Sequence, residues 1–292
     1  MRTRHLPLAL AATAALLLSG CSSTPASSDS GSSAGSGIAL PASIEEKGAI
    51  DVGVYFNYPP YTFEEDGKLQ GIEADLMRAV ADELGIEVEF HDLAFEAMIP
   101  SVINGRMDAL IGPMGDSAER QKEVTFIDTL NSRMQAVVKK GNPTDFDIAD
   151  PCGAKGGEVA ASNNLTTVTE LSEKCEAEGQ KAIDILSLPD AGNVFQAVIS
   201  DRTQFSVQDP ALAKFMTETN PDLELQGDSI PAAGGDLQGW IVGKDNTELT
   251  AAIVAAIDAL IADGTWGEIM EAGGLTDAAL DAPLVNGKEP VN

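Results

Sequence analysis

Histidine and cysteine are scarce in this chain, two and three respectively among 292 residues. His5 falls in an N-terminal leader, so His91 stands alone, and no Ser-His-Asp pattern for nucleophilic catalysis can be assembled around it. The cysteines left after the leader have no histidine beside them and make a poor zinc set, so neither a metal nor any other cofactor is expected. Positive charge is also short: 18 Lys and Arg face 46 Asp and Glu, a formal net charge of −28. A phosphate-binding surface needs clustered Lys and Arg, which excludes a nucleic-acid partner. Such acidity suits a protein kept soluble in salt. No stretch beyond the leader approaches 18 continuous apolar residues, so none is read as a membrane span. No repeat at a fixed 20–50-residue period is evident, so a solenoid is not indicated.

What is present starts with a leader. Arg2 and Arg4 precede an apolar run from Leu6 to Leu18, the pattern of a signal peptide over residues 1–20. The run ends in Leu18-Ser-Gly-Cys21, which looks like a bacterial lipobox and makes Cys21 the candidate lipidated N-terminus. The alternative is a chance cysteine after an ordinary signal peptide. Residues 22–37 are almost all small and polar, too poor in apolar surface to fold, and 21–46 is read as a flexible tether. The expected location is the cell surface, with the chain held on the outer face of the cytoplasmic membrane by lipid alone. In an exported chain the remaining pair, Cys152 and Cys175, reads as a disulfide. A loop of that size contributes about 3 kcal/mol in the chain-entropy model.

Apolar periodicity then alternates between two and near four. Ile50–Tyr55 reads as a strand leading into Tyr58-Pro-Pro-Tyr61. Ile72, Leu76, Val80 and Leu84 mark an amphipathic helix closed by Gly85. Ile86–Phe90 is a strand, Phe95–Asn104 a helix and Met107–Ile111 a strand; this alternation predicts a parallel sheet covered by helices. After a strand at Gln135–Lys139, Gly141-Asn-Pro suggests a crossing into a second α/β set. That set comprises strands at 158–161, 182–188 and 203–208, and helices at 166–175, 190–200 and 210–217. A strand near Gly239-Trp-Ile-Val242 and a long helix over 247–262 follow.

Among these segments Gly112-Pro-Met-Gly-Asp-Ser-Ala-Glu-Arg120 stands out. A strand entering a Gly/Pro turn and then a helix at Ser117 creates the crevice where open α/β sheets bind ligands. Arg120 in that first turn offers a carboxylate two parallel charge-assisted hydrogen bonds; the alternative is a solvated surface arginine.

The order of motifs resembles the extracellular solute-binding proteins of family 3, the polar amino-acid receptors of ABC importers. Its carriers are Val52-Gly-Val54 with Tyr58-Pro-Pro-Tyr61, then Gly67-Lys-Leu-Gln-Gly-Ile-Glu-Ala-Asp-Leu76 and Phe95-Glu-Ala-Met-Ile-Pro100. Gly105-Arg-Met-Asp108, Ser117-Ala-Glu-Arg120 and Ala262-Asp-Gly-Thr-Trp266 complete the series, which spans residues 47–275. The resemblance implies an α/β, two-lobed periplasmic-binding-protein-like fold with a discontinuous first lobe and two hinge strands. It places lobe 1 at 47–138 plus 239–280, lobe 2 at 139–238 and a tail at 281–292.

It further implies that Arg120 grips a ligand's α-carboxylate, helped by the Ser117 backbone N–H. Asp209 would take the α-ammonium, although Asp209 before Pro210 also reads as a helix N-cap. Tyr58 and Phe95 match aromatic positions that pack on the ligand, though such aromatics also serve as core. Thr166 matches a hydroxyl at the opening of a lobe-2 helix. Gly115 stands at a site position where Ser or Thr is common, Pro113 removes an N–H, and Asn164-Leu165 replaces Gly-Thr. Tyr55 stands where binders of basic amino acids often carry an acid, and Asp116 is either a helix-terminal charge or a selector for a cationic group. The implied partners are a small zwitterion, ABC permease subunits and the membrane through the lipid anchor; the chain is expected to be monomeric and not an enzyme. A ligand-binding sensor component or a dehydratase-like enzyme on the same fold is the alternative.

Overall fold

Short apolar runs punctuated by glycine organise the first part of the chain. The computed structural model describes residues 37–131 and 133–288. The expected signal peptide, the lipidation site Cys21 and tether residues 22–36 lie outside the described residues. Helix α1 (Ala42–Lys47) buries Ile44, so ordered structure begins inside the segment expected to be tether. Strand β1 (Ala49–Val54) leads to a small antiparallel sheet of β2 (Asn57–Tyr58), β3 (Thr62–Glu65) and β4 (Lys68–Gln70). Helix α2 (Ile72–Leu84) buries the expected stripe Ile72, Leu76, Val80 and Leu84, and Gly85 closes it at φ 71. Strand β5 (Glu87–Asp92), a single 3-10 turn at Phe95–Ala97, helix α3 (Met98–Ile103) and β6 (Ala109–Gly115) follow.

No α-helix opens at Ser117. Residues 118–119 form a turn and Arg120–Lys122 a 3-10 turn, after which the chain enters β7 (Val124–Asn131). Ser117 supports this turn by accepting the Arg120 N–H on Oγ at 3.3 Å. The helix dipole assigned to Arg120 from sequence is therefore absent. Strand β7 is buried at seven of its eight positions, and a strand buried on both faces has no period-2 signal. It continues almost directly into β8 (Met134–Lys139), which belongs to a different sheet.

The second part comprises β9 (Lys155–Val159), α4 (Asn163–Ala177), β10 (Asp184–Leu188), α5 (Ala191–Ile199), β11 (Phe205–Gln208), α6 (Pro210–Thr219) and β12 (Leu223–Ile230). The chain then passes back through β13 (Leu237–Gly243) to α7 (Thr247–Asp263), α8 (Thr265–Ala272) and β14 (Ala279–Val285). One six-stranded sheet has the order β14-β7-β13-β6-β1-β5, and one five-stranded sheet the order β10-β9-β11-β8-β12. Each is mixed rather than wholly parallel: β13 and β14 run against their neighbours in the first, and β8 against β11 and β12 in the second. This is a two-lobed α/β fold in which the chain crosses between the large sheets twice, at 131–134 and 230–237. The first crossing precedes Gly141 by several residues, because Gly141-Asn-Pro instead turns the chain at the far end of β8. Leu284 and Val285, in the segment expected as tail, pair with β7.

Both faces of the first sheet are covered. On one, Leu76 and Val80 of α2 meet Ile253 and Ile257 of α7, Trp266 of α8 and Trp240; on the other, Met98 and Val102 of α3 meet Leu110, Phe126 and Ile241. The second sheet packs Phe146 on Phe205, ring centroids 4.2 Å apart, on one side and Phe195, Val198 and Leu212 on the other. The Cys152–Cys175 disulfide forms as expected and ties α4 to the loop before β9. No single described helix is long and apolar enough to cross a membrane.

Candidate functional site

The cleft between the two large sheets encloses a cavity of about 50 Å³. From the first sheet's side it is walled by Tyr55, Tyr58, Phe95, Met98, Ile111, Met114 and Gly115, with Arg120 and Gln238. From the second it is walled by Met134, Val159, Ser162, Asn163, Asn164 and Gln208. Four residues singled out from sequence, Tyr58, Phe95, Gly115 and Arg120, thus meet on one cavity, whereas Ser117, Thr166 and Asp209 are not on its wall.

Arg120 occupies the junction. Its Nη1 donates to Gly115 O at 2.8 Å, at the end of β6, and its Nη2 to Ala161 O at 2.9 Å, just ahead of α4. One guanidinium therefore links the two sides of the cleft. Burial pushes its pKa down, opposed by the Asp116 charge; a guanidinium stays protonated throughout the physiological range. Ala161 sits at φ 60, a left-handed conformation that costs a non-glycine residue roughly 1–2 kcal/mol. Such strain often marks positions held by function.

Asp209 is 1% exposed and caps α6, its Oδ1 accepting the Leu212 N–H at 3.0 Å. Tyr61 donates to the same oxygen and Tyr58 to Oδ2, each at 2.6 Å. Both carboxylate oxygens are thus engaged by protein donors, and Asp209 lies behind Tyr58. Burial raises the Asp209 carboxyl, with the two tyrosine hydroxyls opposing, and burial also raises both tyrosines well above their ordinary value. The two rings stack with centroids 5.7 Å apart. Gly71 permits this arrangement: at φ 112 it lies so close to Tyr61 that a Cβ there would fall 2.6 Å from the Tyr61 carbonyl carbon.

Helix α4 begins three residues earlier than its sequence suggests. Ser162 is the N-cap, its Oγ accepting the Leu165 N–H at 3.0 Å. This turns Thr166 to solvent and brings Ser162, Asn163 and Asn164 to the cavity instead. A Ser followed by two Asn is the signal that would have found this opening, since these residues favour caps. Asn164 donates from Nδ2 to Gln208 Oε1 at 3.0 Å, and Gln208 Nε2 donates to Ser206 Oγ at 2.6 Å. Beneath them Glu158 accepts the Val207 N–H on Oε1 at 2.6 Å, and burial raises its carboxyl well above the usual range. Gln208 and Gln238 carried no distinguishing sequence signal. Tyr55, flagged from sequence only as a departure, packs edge-on against Phe95, centroids 6.4 Å apart.

Asp116 is buried beside the site but does not open on it: both its oxygens accept from Gln121 Nε2, at 2.8 and 2.7 Å. Away from the cleft, Asp51, Glu89 and His91 bring three ligand-type atoms within 4.8 Å of one another. Asp51 there is already satisfied by Lys47 and by His91, at 2.8 Å.

Known proteins share this fold. The arginine-binding protein ArgT of Corynebacterium glutamicum is 30% identical over 261 residues, covering 87% of this chain and 83% of its own. The L-cystine-binding protein TcyJ of Escherichia coli K12 is 27% identical over 78% of this chain and 83% of its own. An ancestral arginine-binding protein bound to arginine superposes with a TM-score of 0.69 at 30% identity, over 77% of this chain and 97% of its own. Residues 50–272 match the bacterial extracellular solute-binding proteins, family 3, and the chain belongs to that family.

Proposed function

We propose that this chain is the ligand-binding lipoprotein of an ABC importer. In this reading it is exported, lipidated at Cys21 and held on the outer face of the cytoplasmic membrane. There it captures an amino acid or related zwitterion and passes it to permease subunits. One observation carries the reading: Arg120, the one charged residue on the cavity wall among the described residues, bonds backbone carbonyls from both sides of the cleft. A ligand carboxylate that takes over the guanidinium exchanges neutral carbonyl contacts for charge-assisted ones. A ligand touching both walls at once binds the closed arrangement more tightly than the open one, and that difference drives closure about the two crossings.

Tyr58 and Phe95 supply aromatic surface for the ligand, and Gly115 lets the Asn163 amide stand beside them. Binding rather than catalysis is supported by the wall itself, where no histidine, cysteine or carboxylate is found among the described residues. The arginine- and cystine-binding relatives support the amino-acid class. A thermal-shift screen over amino acids, betaines, polyamines and short peptides tests the reading, since a ligand that binds only the native state raises its melting temperature. The expected result is a shift with a zwitterion; shifts confined to another class would refute it.

A further inference from the structure

Four acids near the cleft are buried, and each is withheld from the cavity. Asp116 is bonded by Gln121, Asp209 by Tyr58, Tyr61 and Leu212, Glu158 by Val207 and Ser206, and Asp128 by the Gly287 N–H. A cationic side chain entering the cavity would leave water with no acid on the wall to meet it, and an unpaired buried charge costs several kcal/mol.

Three polar atoms on the wall have the opposite problem, the Tyr55 hydroxyl and two amide atoms that sit together. Asn163, 8% exposed, has no partner for Nδ2, and Gln238, 2% exposed, has none for Oε1. Both flank Gly115: Gln238 is its cross-strand partner in the β6–β13 ladder, and the Asn163 amide lies where a Gly115 side chain would point. Directly opposed residues in an antiparallel pair present the same face, so these two amides converge on one spot. A buried donor and a buried acceptor left unpaired at one place call for a ligand group that accepts from one and donates to the other.

We infer that the cavity selects amino acids with an uncharged side chain and rejects arginine and lysine, with Asn163 and Gln238 setting that choice. This rests on the amino-acid reading above. Arg120 takes the carboxylate. A neutral side-chain group that both accepts from Asn163 Nδ2 and donates to Gln238 Oε1 satisfies the two amides at once, whereas a cationic group only donates. A cationic side chain finds no carboxylate on the wall itself. Glycine at 115 is what lets Asn163 stand there.

Isothermal titration of the full chain with each of the twenty L-amino acids tests this. The expected result is that the best uncharged ligand binds at least tenfold tighter than arginine or lysine. Equal or tighter binding of either cation overturns the inference while leaving the amino-acid reading intact. Absence of binding by all twenty overturns both. Gln238→Glu places an acid on the wall and should shift the arginine-to-uncharged affinity ratio at least tenfold toward arginine. An unchanged ratio in a variant with a native circular dichroism spectrum would remove Gln238 from the selection.

Discussion

Asp128→Asn should flatten the pH dependence of stability by about 2.5 kcal/mol between pH 5 and pH 8. Asp128 is fully buried on β7, and its Oδ2 accepts the Gly287 N–H at 2.8 Å. No N–H or O–H reaches its Oδ1, which faces the Asp116 carboxylate. Both groups are satisfied when Asp128 carries a proton and donates it to Asp116. Burial is the main force raising Asp128 to about 7, opposed by Gly287 and assisted by Asp116. Because the folded pKa lies above the unfolded one, the stability it brings is complete at low pH and is lost as pH rises through about 7. A rise of some three units corresponds to roughly 4 kcal/mol over the whole titration, and about 2.5 of that falls between pH 5 and pH 8. The proton belongs to the pair, so the transition is one step of a coupled titration.

Asparagine offers Asp116 an N–H donor, keeps an oxygen for Gly287 and does not titrate. Urea unfolding at pH 5, 6, 7 and 8 on both proteins measures the effect. Glu73, raised to about 7 by burial, tilts both curves alike, so the difference between them isolates the pair. Curves that stay parallel within about 0.5 kcal/mol would refute the shared-proton assignment.

Tyr61→Phe removes one donor from Asp209 and should cost about 1.5–3 kcal/mol in urea unfolding, since the lost bond goes to a charged group; a loss under about 0.5 kcal/mol would count against it. Gly115→Ala puts a methyl 2.6 Å from Asn163 Nδ2. It should destabilise by about 1–3 kcal/mol and lower ligand affinity, and native affinity at native melting temperature would contradict the contact. Replacing Cys152 and Cys175 together by serine opens a crosslink spanning 23 residues and should cost about 3 kcal/mol. An unchanged denaturation midpoint would show that the bridge leaves the unfolded chain unconstrained.

Much of the scaffold was legible because its signals are local. The four-residue stripe of α2 and its closing Gly85 appear as expected, as do α7 and the cysteine pair. The misreadings share a cause, which is that a buried strand is specified by both of its faces. Val124–Asn131 mixes Thr125, Asp128 and Thr129 with apolar residues among its buried positions, so neither periodicity marks it. Its direct passage into Met134–Lys139 depends on sheet pairing that no single stretch encodes. At the site, Arg120 was legible by type and place, but its supposed helix was a 3-10 turn. Asp209 carried both a cap and an ammonium reading, and the tyrosines that occupy it come from about 150 residues away. Gln238 faces the cavity only because β13 returns beside β6. Such a residue has meaning in the fold and none in its neighbours.

The central claim is that Arg120 holds a ligand carboxylate between the lobes. Isothermal titration of the wild type and Arg120→Ala with the tightest-binding amino acid tests it most directly. The account predicts at least a tenfold loss of affinity in a variant that keeps its fold, since two charge-assisted bonds disappear. Unchanged affinity in that variant would contradict it.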